Sequence, residues 1–178
     1  SGGLKNIPLI KHVASFGKPV IVSTGGGTLE DVQRVVDETT QHQSNIVLLQ
    51  CTAGYPVAWS DLNLKVIQTY RDTFKETVVG LSSHDSAIAM TLVAYLLGAR
   101  VIEIHFTLNR ANKGTDYAFS LEPQGFKKMI RDIERASLAQ LDNIFNEIAK
   151  GASRDYFQDP REVLRSFAKF YRVKGTKY

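Results

Sequence analysis

Four short apolar runs punctuate the chain, over residues 19–23, 45–51, 77–82 and 101–106. Each is nearly continuous rather than alternating with polar residues, the pattern of strands buried on both faces. Between them the apolar spacing becomes helical. Leu29, Val32, Val35 and Val36 share one face of a helix whose start is marked by Thr28-Leu29-Glu30-Asp31, a capping-box-like sequence. A weaker helical pattern covers 61–74, and a small, apolar one covers 87–98 with Gly98 as its stop. Residues 7–16 read as another helix closed by Gly17, so Ser1-Gly2-Gly3 falls where an earlier strand has just ended.

After the fourth run, residues 107–121 form a polar loop. A long helix follows, with Pro123 in its first turn and Phe126, Ile130, Ile133, Leu141, Ile144 and Ile148 on one face, ended by Gly151. Asp159-Pro160-Arg161-Glu162 then combines an N-cap, a first-turn proline and an acidic third position. It opens a last short helix bearing Val163, Leu164, Phe167 and Phe170. The expected division is a β/α domain over 1–150 and a helical tail over 151–178.

Alternating strands and helices predict an α/β fold with a parallel sheet, either doubly wound or rolled into a barrel. A length of 178 residues favours the doubly wound form, since a complete eight-fold barrel takes about 250. The polar residues argue the other way. Ser23-Thr24, Cys51-Thr52, Ser82 to His84 and His105 all fall at the C-terminal ends of successive strands. Barrel enzymes gather their chemistry on that rim from several strands, whereas a doubly wound sheet concentrates it at one switch point.

Composition narrows the setting. With 43% hydrophobic and 22% charged residues the chain is an ordinary globular one. Cys51 is the single cysteine, so no internal disulfide forms and a reducing, cytoplasmic compartment is expected. No apolar run approaches the roughly 18 residues of a membrane helix, which leaves no membrane partner in view. The net charge of +4 is uneven: from Lys150 onward eight Lys or Arg face three acids. No nucleic-acid-binding motif accompanies them, so they read as a solvated basic tail.

Two histidines carry the chemistry. His84 follows Val78-Val79-Gly80-Leu81-Ser82-Ser83, and His105 follows Val101-Ile102-Glu103-Ile104. A right-handed crossover through the helix between them lays both strands parallel, so both imidazoles emerge at one carboxyl edge. With Glu103 and Asp116 near in sequence, they are the start of a divalent-metal site. His12 and His42, near helix ends, read as ordinary surface or hydrogen-bonded residues. The glycine-rich turn Ser23-Thr24-Gly25-Gly26-Gly27-Thr28 lies between a strand and a helix N-terminus and, with Ser82 and Ser83, points to an anion site. Tyr55-Pro56 follows another strand end, where its phenol can stand over the rim.

These residues carry a family resemblance. Ser1-Gly2, Asn6 to Leu9, Gly17 to Gly25, Leu48 to Pro56, Gly-Leu-Ser-x-His at 80–84, Glu-x-His-Phe-Thr at 103–107, Lys113 to Asp116 and Ser120 to Pro123 occur in the order and spacing of the sialic acid synthase (N-acetylneuraminate synthase) family. Its members condense phosphoenolpyruvate with an N-acetylated amino sugar. The resemblance covers about residues 1–135. It implies a partial TIM (β/α)8 barrel, roughly strands 5–8 with their helices, plus an extra C-terminal helix. It also implies Mn2+ or Mg2+ held by His84 and His105, and the phosphate of phosphoenolpyruvate held by Ser1, Ser23 and Ser82. Tyr55 and Asp116 face the sugar, and Glu103 joins them as a catalytic candidate. The amino sugar implied is N-acetylmannosamine or its 6-phosphate.

The chain departs from the family pattern at several rim positions. Gly3 stands where the family has an acid after Ser-Gly, Gln50 where it often has histidine, and Ala53 where asparagine is common. Ser83 replaces an aspartate and Ile104 a basic residue. The first strands, which in the family carry further Glu and Lys residues, have no counterpart here, and neither does its small C-terminal domain. Two rival readings follow. One is a non-catalytic half-barrel that binds metal or a phosphorylated ligand, or assembles as a homo-oligomer or with a complementary half. The other is a different phosphoenolpyruvate-dependent aldolase-type synthase, such as a deoxyheptulosonate-phosphate synthase, against which the Glu-x-His-Phe-Thr spacing argues.

Overall fold

The computed structural model describes residues 2–42, 45–85 and 87–151, with side chains through 140. The strands are β1 (Val20–Ser23), β2 (Ile46–Cys51), β3 (Val78–Ser83) and β4 (Val101–Ile104); the helices are α1 (Ile7–Ala14), α2 (Leu29–Thr40), α3 (Val66–Thr73), α4 (Ala89–Leu96) and α5 (Pro123–Gly151). The four strands form one parallel sheet in the order β1-β2-β3-β4. A doubly wound sheet reverses its order at a switch point and is covered on both faces. Here the order follows the sequence, and Val20, Val22, Ile46, Leu48, Val79 and Leu81 pack on one side against Val32, Val35, Ile67 and Ala94 of the helices. Those are the features of successive barrel units.

Burial of this layer is the main stabilising term. Leu48, Ile67, Val32 and Val35 are fully buried, and each such side chain contributes roughly 1.5–3 kcal/mol relative to exposure. The opposite face carries Ile21, Val47, Val78, Gly80 and Val101, with Ser23, Ser82 and Glu103 toward the C-terminal ends. Ile21 is 57% exposed and Val78 45%. Gly80 is required by its neighbours: a Cβ there would stand 2.2 Å from the Val101 carbonyl oxygen and 2.5 Å from Leu49 Cδ2.

Local signals hold where they are strongest. Thr28 caps α2 with a complete capping box: its Oγ1 accepts from Asp31 N, and Asp31 Oδ2 accepts from Thr28 N. Gly98, with φ +108°, closes the turn after α4. The helical pattern over 61–74 resolves into a short 3-10 turn at Trp59–Asp61 and then α3. The break is at Asn63, whose positive φ of 48° interrupts the helix and which, as asparagine, tolerates that conformation. The fourth strand ends at Ile104 rather than Phe106. Beyond it the backbone pairs elsewhere, His105 O accepting from Leu121 N and Thr107 N donating to Leu121 O. In α5, Phe126 and Ile133 of the expected stripe are half-buried, while Ile130 is 42% exposed and Met129 is buried in its stead.

The chain divides into two compact units, Ser1–Arg135 and Ala136–Tyr178. Of the second, only the α5 helix as far as Gly151 is described. The short helix expected over 159–172 lies outside the described residues, as does Ser1. Among the described residues, no helix is long and apolar enough to cross a membrane.

Candidate functional site

In a strand, residues two apart share a face. Ser82 and Glu103 are register partners on neighbouring strands, so the residues two further on, His84 and His105, emerge side by side. Their ring centroids are 5.3 Å apart at an interplanar angle of 64°. Tyr55 closes over them, 4.2 Å from the His84 ring and 6.2 Å from the His105 ring. The structure thus brings Tyr55 together with His84 and His105.

Each imidazole turns Nδ1 toward an oxygen, and only that of His84 is within hydrogen-bond distance. His84 is buried, with Nδ1 2.9 Å from the Thr52 carbonyl oxygen. A carbonyl only accepts, so the bond requires a proton on Nδ1, and in the neutral imidazole the lone pair is then on Nε2. His105 Nδ1 lies 3.7 Å from Asp116 Oδ2, within electrostatic reach though beyond a hydrogen bond. A ligating histidine with its second nitrogen turned to a carbonyl or carboxylate has the usual arrangement of a metal-bound one. Among the described residues no group of three or more His, Cys, Asp and Glu side chains is arranged to hold a metal. An ion held between the two imidazoles would have two protein ligands, and water or substrate oxygens would have to complete its shell. That donor set fits a cation that retains several oxygen ligands, and the imidazoles suit Mn2+ better than the harder Mg2+.

Glu103 orients a serine rather than a histidine. Ser82 Oγ donates to Glu103 Oε1 at 2.7 Å, and both line a cleft of about 220 Å3 with Ser83, Ile104 and His105. Ser23 lies on the same face, two strands away and opposite Leu49, one side-chain step below the Ser82–Cys51 level. The rest of the glycine-rich turn is occupied. Thr24 Oγ1 donates to Leu49 O and accepts from the Tyr70 hydroxyl, while Thr28 serves the α2 cap. Glu30 and Asp31 also stand in the first turn of α2. Their carboxyls are held below the ordinary range, Glu30 first by the Thr28 side chain and Asp31 first by the Thr28 backbone. An oxyanion on this rim would meet the Ser23 and Ser82 hydroxyls, not the α2 N-terminus.

Tyr55 stays protonated and so remains a hydrogen-bond donor. Desolvation raises its phenol above the ordinary value, and Cys51, Asp116 and Glu103 add to the effect. The sequence reading missed three contributors. Phe119 is buried, with its ring 5.1 Å from that of His105 and 6.0 Å from that of Tyr55. Its only signal was an aromatic residue inside a polar loop. The Thr52 carbonyl has no signal in sequence. Asp85, 1% exposed, accepts from the Ser83 hydroxyl.

Comparison with known proteins finds relatives over most of the chain. The sequence profile of the NeuB family matches residues 1–144. An N-acetylneuraminate-9-phosphate synthase of Drosophila melanogaster is 34% identical over 156 residues, covering 87% of this chain and 42% of that protein. An N,N'-diacetyllegionaminic acid synthase of Campylobacter jejuni is 40% identical over 147 residues, 81% of this chain and 44% of that one. The crystal structure of an N-acetylneuraminic acid synthetase from Leptospira borgpetersenii, in complex with citrate, superposes with a TM-score of 0.73 at 28% identity. It covers 97% of this chain and 57% of its own. The chain thus spans less than half the length of either of these curated relatives.

Proposed function

Because this chain belongs to the NeuB family, we propose that it forms the half of a (β/α)8 barrel that binds and activates the sugar in a phosphoenolpyruvate-dependent condensation. The sugar is an N-acetylated amino sugar in its open-chain form, N-acetylmannosamine or its 6-phosphate. The carrying observation is the convergence of Tyr55, His84 and His105, with Asp116 beside them, at the C-terminal ends of neighbouring strands. Carbon 3 of phosphoenolpyruvate bonds to the aldehyde carbon, water adds at carbon 2, and phosphate leaves with cleavage of the C–O bond.

Each residue has a role in that chemistry. His84 and His105 hold the divalent cation, which when bound supplies Lewis-acid polarisation of the aldehyde oxygen. Tyr55 donates a hydrogen bond from its protonated phenol, and Asp116 accepts from a sugar hydroxyl while its carboxylate faces His105 Nδ1. Ser23 and Ser82, joined by Ser1, bind the phosphate; in the free chain the single Ser82 proton is given to Glu103, so Ser82 turns its hydroxyl from that carboxylate to the phosphate when the ligand enters. The remaining strands come from a complementary set of β/α units. The exposure of Ile21 and Val78 on the face away from the helices supports that partner, since a barrel interior is filled from all its strands.

A chimaera tests the proposal: residues 1–144 replace the matching segment of the Campylobacter jejuni synthase. With phosphoenolpyruvate, N-acetylmannosamine and Mn2+, it should release phosphate only when sugar is present. His84→Ala or His105→Ala should lower that rate at least about 100-fold, the scale of a lost electrostatic stabiliser. The isolated 178-residue chain, with four strands of the rim, should release none. A chimaera that folds like its parent yet releases no phosphate with N-acetylmannosamine, its 6-phosphate or the parent's own sugar would refute the assignment.

A further inference from the structure

The loop after β3 holds a buried carboxylate that none of these roles uses. Asp85 and Ser83 flank His84, and each is 1% exposed. The Ser83 hydroxyl donates to Asp85 Oδ1, and Ala87 N donates to Asp85 Oδ2 at 3.2 Å. Among the described residues Asp85 takes part in no ion pair. Burying a carboxylate against only a hydroxyl and an amide is unfavourable unless a further interaction offsets it. The neighbouring residue is the one that offers a reason.

His84 is restrained from three directions. Its Nδ1 faces Thr52 O, its own carbonyl oxygen accepts from Val57 N at 3.3 Å, and the Asp85 carboxylate ties the preceding residue to the one three positions later. With Ser83, Asp85 and Ala87 joined, the backbone at 84 is not free to turn, and Nδ1 stays against Thr52. The sialic acid synthase pattern has an aspartate where this chain has Ser83. The acid has not been lost from the loop. It stands two positions later, on the other side of His84, and the Ser83 hydroxyl links it back to the position where the pattern has it.

We propose that Asp85 is the positioning residue of His84. Its carboxylate takes the place of the acid absent at 83, holds the imidazole in the Nδ1–H tautomer, and leaves Nε2 available as the ligating atom. The ligating part of Nε2 rests on the metal role proposed for His84; the tautomer does not.

The test uses the full chain and three variants: Asp85→Asn, Ser83→Ala, and the double variant Ser83→Asp/Asp85→Ser, which returns the acid to the family's position. In the metal-free chain, the ring nitrogen shifts of His84 should report one Nδ1–H tautomer in the wild type and a mixture in Asp85→Asn, with the double variant restored. Mn2+ affinity, read from the free-ion electron paramagnetic resonance signal, should fall about 10–100-fold in Asp85→Asn and recover to within about threefold in the double variant, the range seen for partners of metal-bound histidine. Ser83→Ala, which removes one of the two bonds to Asp85, should fall between and serves if Asp85→Asn does not fold. Unchanged tautomer and affinity in Asp85→Asn would overturn the proposal. So would a loss that the relocated acid does not repair, because Asp85 would then be a local structural residue. If the wild type binds no Mn2+, the metal role of His84 fails, and the tautomer comparison still decides the role of Asp85.

Discussion

Replacing Gly80 by alanine sets two effects of opposite sign against each other. Glycine inside a strand loses more backbone freedom on folding than alanine, so the substitution should stabilise by roughly 0.5–1 kcal/mol. Against this, the new Cβ would lie 2.2 Å from Val101 O and 2.5 Å from Leu49 Cδ2. Leu49 can give way by a change of rotamer. Val101 O cannot, because it belongs to β4 in register with Gly80. Reaching the closest approach that Cβ atoms make, 3.0 Å, requires β4 to move by about 0.8 Å. Overpacking of that kind costs about 1–3 kcal/mol, so the clash should win by about 1–2 kcal/mol. Urea unfolding followed by circular dichroism should show the midpoint lowered by about 0.5–1 M at unchanged slope, for a slope of about 2 kcal/mol/M. Because the same strand pair carries the 2.7 Å Ser82–Glu103 bond and both histidines, Mn2+ affinity should fall as well. A midpoint equal to or above that of the wild type would mean that the sheet absorbs the clash and that backbone entropy decides.

Three further outcomes follow from the geometry. At Mn2+ 100 times above Kd, binding should stabilise the chain by about 2.7 kcal/mol, a rise in Tm of about 5–11 °C; His105→Ala should abolish it and His12→Ala should keep it, and equal shifts in all three proteins reject a shared ion. The Asp31 carboxyl, held below the ordinary range chiefly by the Thr28 amide, contributes stability that is complete above its unfolded pKa and disappears as pH falls through the folded one. Asp31→Asn should therefore lower Tm near neutral pH and have no effect once both states are protonated; a gap that persists at low pH assigns the loss to something else. Finally, β1 and β4 are edges of the described sheet, and unpaired edges recruit partners. Light scattering should find a dimer or larger species at micromolar concentration, whereas a 19.8 kDa species at every concentration would contradict this.

Much of the architecture was legible in the sequence because it depends on near neighbours. The four apolar runs, the Thr28–Asp31 capping box and the Gly98 stop are patterns over fewer than a dozen residues, and β1 to β3 lie within one or two residues of expectation. His84 and His105 were also legible as a pair, since strand periodicity and a right-handed crossover place them without any knowledge of packing. What the sequence could not supply depends on groups distant along the chain. Whether the sheet doubles back or runs in order is decided by which strands pair; hydrophobic pattern is the same in both cases, and only the polar residues at successive strand ends and the family resemblance pointed to the barrel. The end of β4 at Ile104 is set by Leu121, which takes over the backbone bonds at His105 and Thr107. The tautomer of His84 is set by the Thr52 carbonyl, 32 residues earlier, and Phe119 reaches the site through a turn with no periodicity. Propensity, capping and alternation act over one or two turns of chain and can be read along it. A register, a buried contact or a ring stacked on a distant ring exists only once the sheet has brought those residues together.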